Sequence, residues 1–132
     1  MTQRNINVMC IIVDKIVEGA KISQALKSVY SKRNISIPCG NSDFDVSVLD
    51  IGLSKRSANA LMRNKLTTIN DVIKFCNEHK ITEIVNLGKS SGVEIFEAIL
   101  DYRWVHMSKD ERVNFLIDIV ERNQDYILED IA

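Results

Sequence analysis

Arg56, Asn59, Ala60 and Arg63 fall at i, i+3, i+4 and i+7, which puts them on one stripe of a helix running from Ser54 to about Lys65. These residue types suit a nucleic-acid groove. Arginine carries a fixed charge that the narrow, strongly negative minor groove attracts. Asparagine both donates and accepts hydrogen bonds, which suits base edges and sugars there. Ala60 between them leaves room for close approach. Ala58, Leu61 and Met62 lie on the other side and are expected to face a core. The plainer reading of the same stripe is a solvated polar face.

A second group lies at Asn86-Leu87-Gly88-Lys89-Ser90-Ser91, between Ile81 and Ile84 on one side and Val93 and Ile95 on the other. Two helices meeting through a glycine turn form a helix-hairpin-helix pattern. Gly88 is expected to permit the sharp turn and to let backbone N–H groups approach a phosphate. The helix that starts there presents unpaired N–H groups and its positive dipole end. Lys89, Ser90 and Ser91 add side-chain donors. Ser91 and Glu94 also read as a plain capping pair, since a carboxylate facing phosphates is unfavourable. Gly88-Lys89-Ser90 does not end a P-loop, because position 83 is Glu83 where that motif needs glycine, and a helix precedes it where the motif needs a strand. Ile51-Gly52-x-Ser54 echoes Leu87-Gly88-x-Ser90 at an offset of 36 residues. The echo suggests two helix N-termini aimed at one backbone.

The positioning elements are helical. One proline and five glycines among 132 residues leave few breakers. Val8, Ile12 and Ile16 predict a helix over 5–18 that ends at Gly19. Met9, Val13 and Val17 make a second apolar stripe on it, so it is expected to be buried on both sides or to pair with another chain. Residues 21–33 read as a second helix, and residues 35–38 as a short extended segment. Residues 39–45 read as a linker. Ser54 caps the next helix. Thr68 with Asp71, and Ser108 with Glu111, are capping boxes opening two more. A short helix is expected around Ile81–Val85, and another from Lys89 or Ser90 to about Asp101. Residues 125–132 are acidic and expected to fray. The fold class is therefore all-α, with six or seven helices and almost no sheet. The boundaries expected are 1–40 for an N-terminal helical extension, 41–104 for a compact domain, and 105–132 for an amphipathic helix with an acidic tail.

Composition excludes several classes. Hydrophobic residues make up 45% and charged residues 27%, an ordinary globular balance. Cys10, Cys39 and Cys76 are scattered and odd in number, which reads as free thiols in a reducing cytosol. With only His79 and His106 beside them, no zinc spacing exists, and no metal or other cofactor is expected. No nucleophile–base set or paired carboxylate stands out, so no enzyme is expected. No apolar run is long enough to span a membrane. The protein is expected to be cytoplasmic and nucleoid-associated. Its net charge is −1, yet residues 1–40 carry six Lys/Arg against two acids, and residues 101–132 carry four against eight. The basic head offers Lys27, Lys32 and Arg33, and with them Arg63, as further phosphate contacts. A basic head and an acidic tail also suggest a homodimer. Residues 10–30 admit a helix-turn-helix with Ser23 and Gln24 in its reading helix, though two simply packed helices are preferred.

Residues 46–102 resemble the C-terminal domain of the bacterial RNA polymerase α subunit. Two separated stretches carry the resemblance. The first runs Leu53-Ser54-Lys55-Arg56-Ser57-Ala58-Asn59-Ala60-Leu61, then Leu66-Thr67-Thr68-Ile69-Asn70-Asp71-Val72. The second is Asn86-Leu87-Gly88-Lys89-Ser90-Ser91 with Glu94-Ile95. The resemblance implies a compact helix-hairpin-helix domain that binds the minor groove of A/T-rich DNA and contacts sigma factor and activators. It implies that Arg56 enters the groove with help from Asn59, that Asn86, Gly88 and Ser91 hold the backbone, and that Glu94 orients the face. Three departures stand out: Ser90 replaces a second basic residue, Val85 replaces the usual proline, and the preceding loop is one residue longer. The large assembly domain of an α subunit is absent from this sequence, which implies a free-standing relative.

Two functions follow. One is a DNA-binding transcription module acting on A/T-rich duplex. The other is an adaptor that contacts RNA polymerase, sigma factor or a regulator with little DNA binding of its own. Weak, salt-sensitive binding by one copy is expected, strengthened when two copies act together.

Overall fold

The computed structural model describes residues 1–32, 35–40, 45–79, 81–84 and 87–131. Arg33 and Asn86, both expected near a nucleic acid, lie outside the described residues. Among the described residues the fold is all-helical, with no β-strand beyond two isolated bridges. It divides into two units, one built from residues 1–37 and 104–132, the other from residues 38–103.

The first unit joins the two sequence extensions. α1 (Gln3–Val17) starts where the Thr2 hydroxyl accepts the Asn5 N–H at 3.1 Å. It packs against α2 (Ile22–Lys27) and α6 (Lys109–Arg122). Val8 and Ile12 from α1, Val29, and Ile119 and Val120 from α6 are fully buried. The Ser108–Glu111 capping box opens α6 as expected.

α2 is only six residues long, well short of the expected 21–33. The Ser28 hydroxyl turns back to the Ala25 carbonyl at 2.6 Å. Tyr30 then leaves the helix to form an antiparallel bridge with Ile127. Ser31 N–H donates to the Tyr126 carbonyl at 2.8 Å, and Leu128 N–H to the Val29 carbonyl at 3.0 Å. Tertiary pairing has overridden local helical pattern. The same pairing corrects the frayed tail. Ile127 is buried, and the Arg4 guanidinium donates to the carbonyls of Ile127, Leu128 and Ile131. A helix-turn-helix reader is also ruled out here, because Ser23 is buried and the Gln24 side chain accepts the Lys21 N–H.

Asn123 is 0% exposed and acts as a backbone clamp. Its Oδ1 accepts Ser36 N–H at 2.8 Å, while its Nδ2 donates to the Ser36 carbonyl at 2.8 Å and to the Ile119 carbonyl at 2.8 Å.

The second unit holds α3 (Lys55–Arg63), α4 (Ile69–Glu78) and α5 (Lys89–Val105), whose last two residues fall in the first unit. 3-10 turns lie at Val48–Asp50 and at Ile81–Glu83, the latter replacing the expected short helix. Val48, Leu61, Ile69, Ile73, Ile95, Ile99 and Leu100 form the core. Gly52, at φ +79°, makes the turn into α3. Thr68 and Asp71 form the expected capping box of α4. Asn70 repeats the clamp seen at Asn123, accepting Gly40 N–H at 3.0 Å and donating to the Gly40 carbonyl at 2.9 Å. Arg103, buried at the end of the unit, donates to the carbonyl of Pro38 at its beginning.

Candidate nucleic-acid interface

α3 begins at Ser54. Its hydroxyl accepts Ser57 N–H at 3.3 Å, and its carbonyl accepts Ala58 N–H at 3.0 Å. Ala60, Ser57, Leu61 and Ala58 sweep out the buried arc of the helix. Lys55, Arg56, Asn59, Met62 and Arg63 occupy the exposed arc. Two expectations are thereby corrected. Ala60 is 0% exposed and meets the core, so it offers nothing to a groove. Met62 is 38% exposed and sits among the polar residues. Both lie near the edges of a buried arc centred between Ser57 and Leu61, where the spacing rule is least decisive.

α3 ends in a Schellman turn. Leu66 N–H bonds the Leu61 carbonyl at 3.0 Å, and Lys65 N–H bonds the Met62 carbonyl at 3.1 Å. Lys65 takes the left-handed conformation, φ 60°, that glycine usually supplies.

At the second group, Gly92 N–H donates to the Gly88 carbonyl at 3.0 Å, the first bond of α5. The N–H groups of Lys89, Ser90 and Ser91 therefore precede the intrahelical ladder. Gly88, Lys89 and Ser90 are exposed and Ser91 is half-buried. Gly88 does not have the positive φ expected of a turn glycine. A Cβ added to it would meet nothing within 4 Å. What it contributes is bare space over a helix start. The echo with Gly52 is therefore one of letters and not of geometry. Gly52 is left-handed and Ser54 caps a helix, whereas Gly88 is not left-handed and Ser90 lies inside one.

Glu94 joins the two groups. Its Oε1 accepts the Ser54 N–H at 3.3 Å and the Ser54 hydroxyl at 3.0 Å. Hydrogen bonding from the Ser57 hydroxyl, opposed by burial and aided by smaller contributions from the Ser54 hydroxyl and N–H, holds the carboxyl below its ordinary value. The plain pairing of Ser91 with Glu94 is thus replaced by a cap across 40 residues of sequence. One consequence corrects the idea of two open helix ends: the N-terminus of α3 already holds a carboxylate, whereas the first turn of α5 contains no acidic residue.

Arg56, Asn59 and Arg63 on α3, with Gly88, Lys89, Ser91 and Glu94 at α5, thus belong to one unit whose two helix starts touch through Glu94. Lys27 and Lys32 belong to the other unit, where Lys32 Nζ sits 4.5 Å above the Tyr126 ring. Sequence reasoning missed Gly92. A Cβ there would come 3.1 Å from Ile81, so the glycine lets the 3-10 turn lie against α5. A glycine four residues beyond another, in the first turns of an apolar helix, was the available signal.

Residues 38–101 match the family model for the C-terminal domain of the bacterial RNA polymerase alpha subunit. This segment is a relative of that domain. The match to the alpha C-terminal domain begins at Pro38, where the structural unit begins, and stops two residues short of its end at Arg103. No match was found among curated proteins or among solved structures. Among the described residues, no helix is long and apolar enough to cross a membrane, and no group of three metal-ligating side chains occurs.

Proposed function

We propose that the alpha C-terminal-domain-like unit docks on the minor groove of A/T-rich double-stranded DNA as a non-enzymatic, nucleoid-associated transcription protein of the cytoplasm. Arg56 enters the groove, Asn59 contacts sugar or base edges beside it, and Arg63 meets a flanking phosphate. The first-turn N–H groups of α5, with Lys89 and Ser91, hold the opposite backbone. Glu94 serves as a positioning residue by fixing the start of α3. The observation that carries this reading is the Glu94–Ser54 contact, which ties the exposed Arg–Asn stripe to the first turns of α5. The Cys76 thiol, pushed up to about 11 by burial, offers no nucleophile at neutral pH.

A gel shift with an A-tract duplex and a G/C duplex at two salt concentrations tests the reading. Binding of the A-tract that weakens with salt supports it. Failure on both duplexes at low salt removes it.

The second reading is an adaptor for RNA polymerase, sigma factor or a regulator. It is favoured by Leu49 and Met62, large apolar side chains exposed on the same unit. Capture of polymerase by a protein that binds neither duplex would select it.

A further inference from the structure

α1 uses Val8 and Ile12 for its own core, yet keeps a second apolar stripe on the outside. Ile6, Met9, Cys10 and Val13 line a shallow groove with Asp14 at its edge, and Val17 continues the line by one turn. Ile6 is 43% exposed, Val13 44% and Val17 80%. A continuous stripe of this kind is unfavourable in water and marks a contact surface.

We infer that this stripe binds a second copy of the protein as an antiparallel pair of α1 helices. A two-fold interface requires one patch to complement itself. The stripe does so when the helix is reversed about the midpoint between Met9 and Cys10. Ile6 then meets Val13 of the second copy, Met9 meets Cys10, and each contact is made twice. Charge selects the same direction. The first turn of α1 contains no acidic residue, while Asp14 borders the stripe near the other end. Antiparallel pairing brings Asp14 toward the positive N-terminal end of the second helix; parallel pairing would bring the two Asp14 carboxylates together. The pair depends only on α1 and stands apart from any DNA reading.

The test is sedimentation equilibrium of the full-length protein over a wide concentration range, beside Val13→Glu and Ile6→Glu. Both positions are exposed, so at a concentration where the parent is monomeric far-UV circular dichroism and melting should match it. The parent mass is expected to rise with concentration from 15.0 kDa to twice that value. Each variant is expected to stay at the monomer mass. In a Cys39→Ser background, a short bis-maleimide should link Cys10 to Cys10 of the second copy, and Val13→Glu should abolish the link. A parent that is monomeric throughout, an assembly larger than two, or a dimer indifferent to both charges overturns the inference.

Discussion

Glu94 and Ser54, 40 positions apart, meet through one carboxylate oxygen that accepts both the backbone N–H and the hydroxyl of the serine. The contact makes the start of α3 dependent on α5. Because hydrogen bonding from Ser57 first, and then Ser54, lowers the Glu94 carboxyl, its contribution to stability is present above its ordinary value of 4.5 and is lost as pH falls through the depressed value. Glu94→Gln is expected to flatten the melting temperature against pH below 4.5, measured by circular dichroism; the lowered Asp71 carboxyl keeps a slope of its own there. An unchanged profile would show that the carboxylate is not coupled to folding.

Arg56→Ala should weaken A-tract binding more than Lys109→Ala, which lies on the other unit. The loss of one groove-inserted cation is expected to cost about 1–3 kcal/mol and to reduce the salt slope by about one. Fluorescence anisotropy at several salt concentrations measures both. Equal effects from the two substitutions would contradict the assigned face.

Gly88→Ala separates folding from docking. The added Cβ meets nothing within 4 Å, and the backbone there needs no positive φ. Melting temperature should therefore stay the same or rise slightly. A backbone phosphate brought against the start of α5 would meet the new methyl, so affinity for DNA should fall. Retained affinity would place the phosphate elsewhere.

Lys65→Gly should stabilise the fold. The left-handed conformation costs an ordinary residue roughly 1–2 kcal/mol, and the entropy of glycine returns about 0.5–1 kcal/mol of that. A small rise in melting temperature is the expected result, and a fall would mean that the lysine side chain itself holds the turn.

Asn123→Ala should be the most damaging of these changes. It leaves the Ser36 N–H and carbonyl without the partner that now satisfies both. A fully buried backbone group stranded in this way costs about 1–3 kcal/mol, and half-buried Ser36 should lose up to that for each group. Chemical denaturation of the full-length protein measures the loss. A midpoint equal to the parent's would show that water reaches Ser36.

The capping signals read correctly from sequence were those that act over three residues. Ser54, Thr68 with Asp71, and Ser108 with Glu111 all start helices where expected. The features that escaped depend on distant partners. Tyr30 left a helical pattern to pair with Ile127, and Asn70 and Asn123 found backbone segments 30 and 87 positions away. Within the candidate interface, Arg56, Asn59 and Arg63 were readable from spacing alone. Ala60 was not, because a small residue at the edge of a buried arc fits either side. The orienting role of Glu94 was implied by the resemblance, but its partner was hidden, because its nearest local partner by sequence, Ser91, is not the serine it caps.

The Arg4 guanidinium closes on three carbonyls between Ile127 and Ile131. During synthesis the cation emerges long before its acceptors exist. Residues 38–103 make a unit from one continuous stretch and can condense as soon as that stretch has left the ribosome. α1 must meanwhile wait, with both apolar stripes bare, until residue 131 has been added. The unit of residues 1–37 and 104–132 is therefore the last part to become structured. Pulse-labelled hydrogen exchange during refolding should find protection in α3, α4 and α5 before it appears in α1.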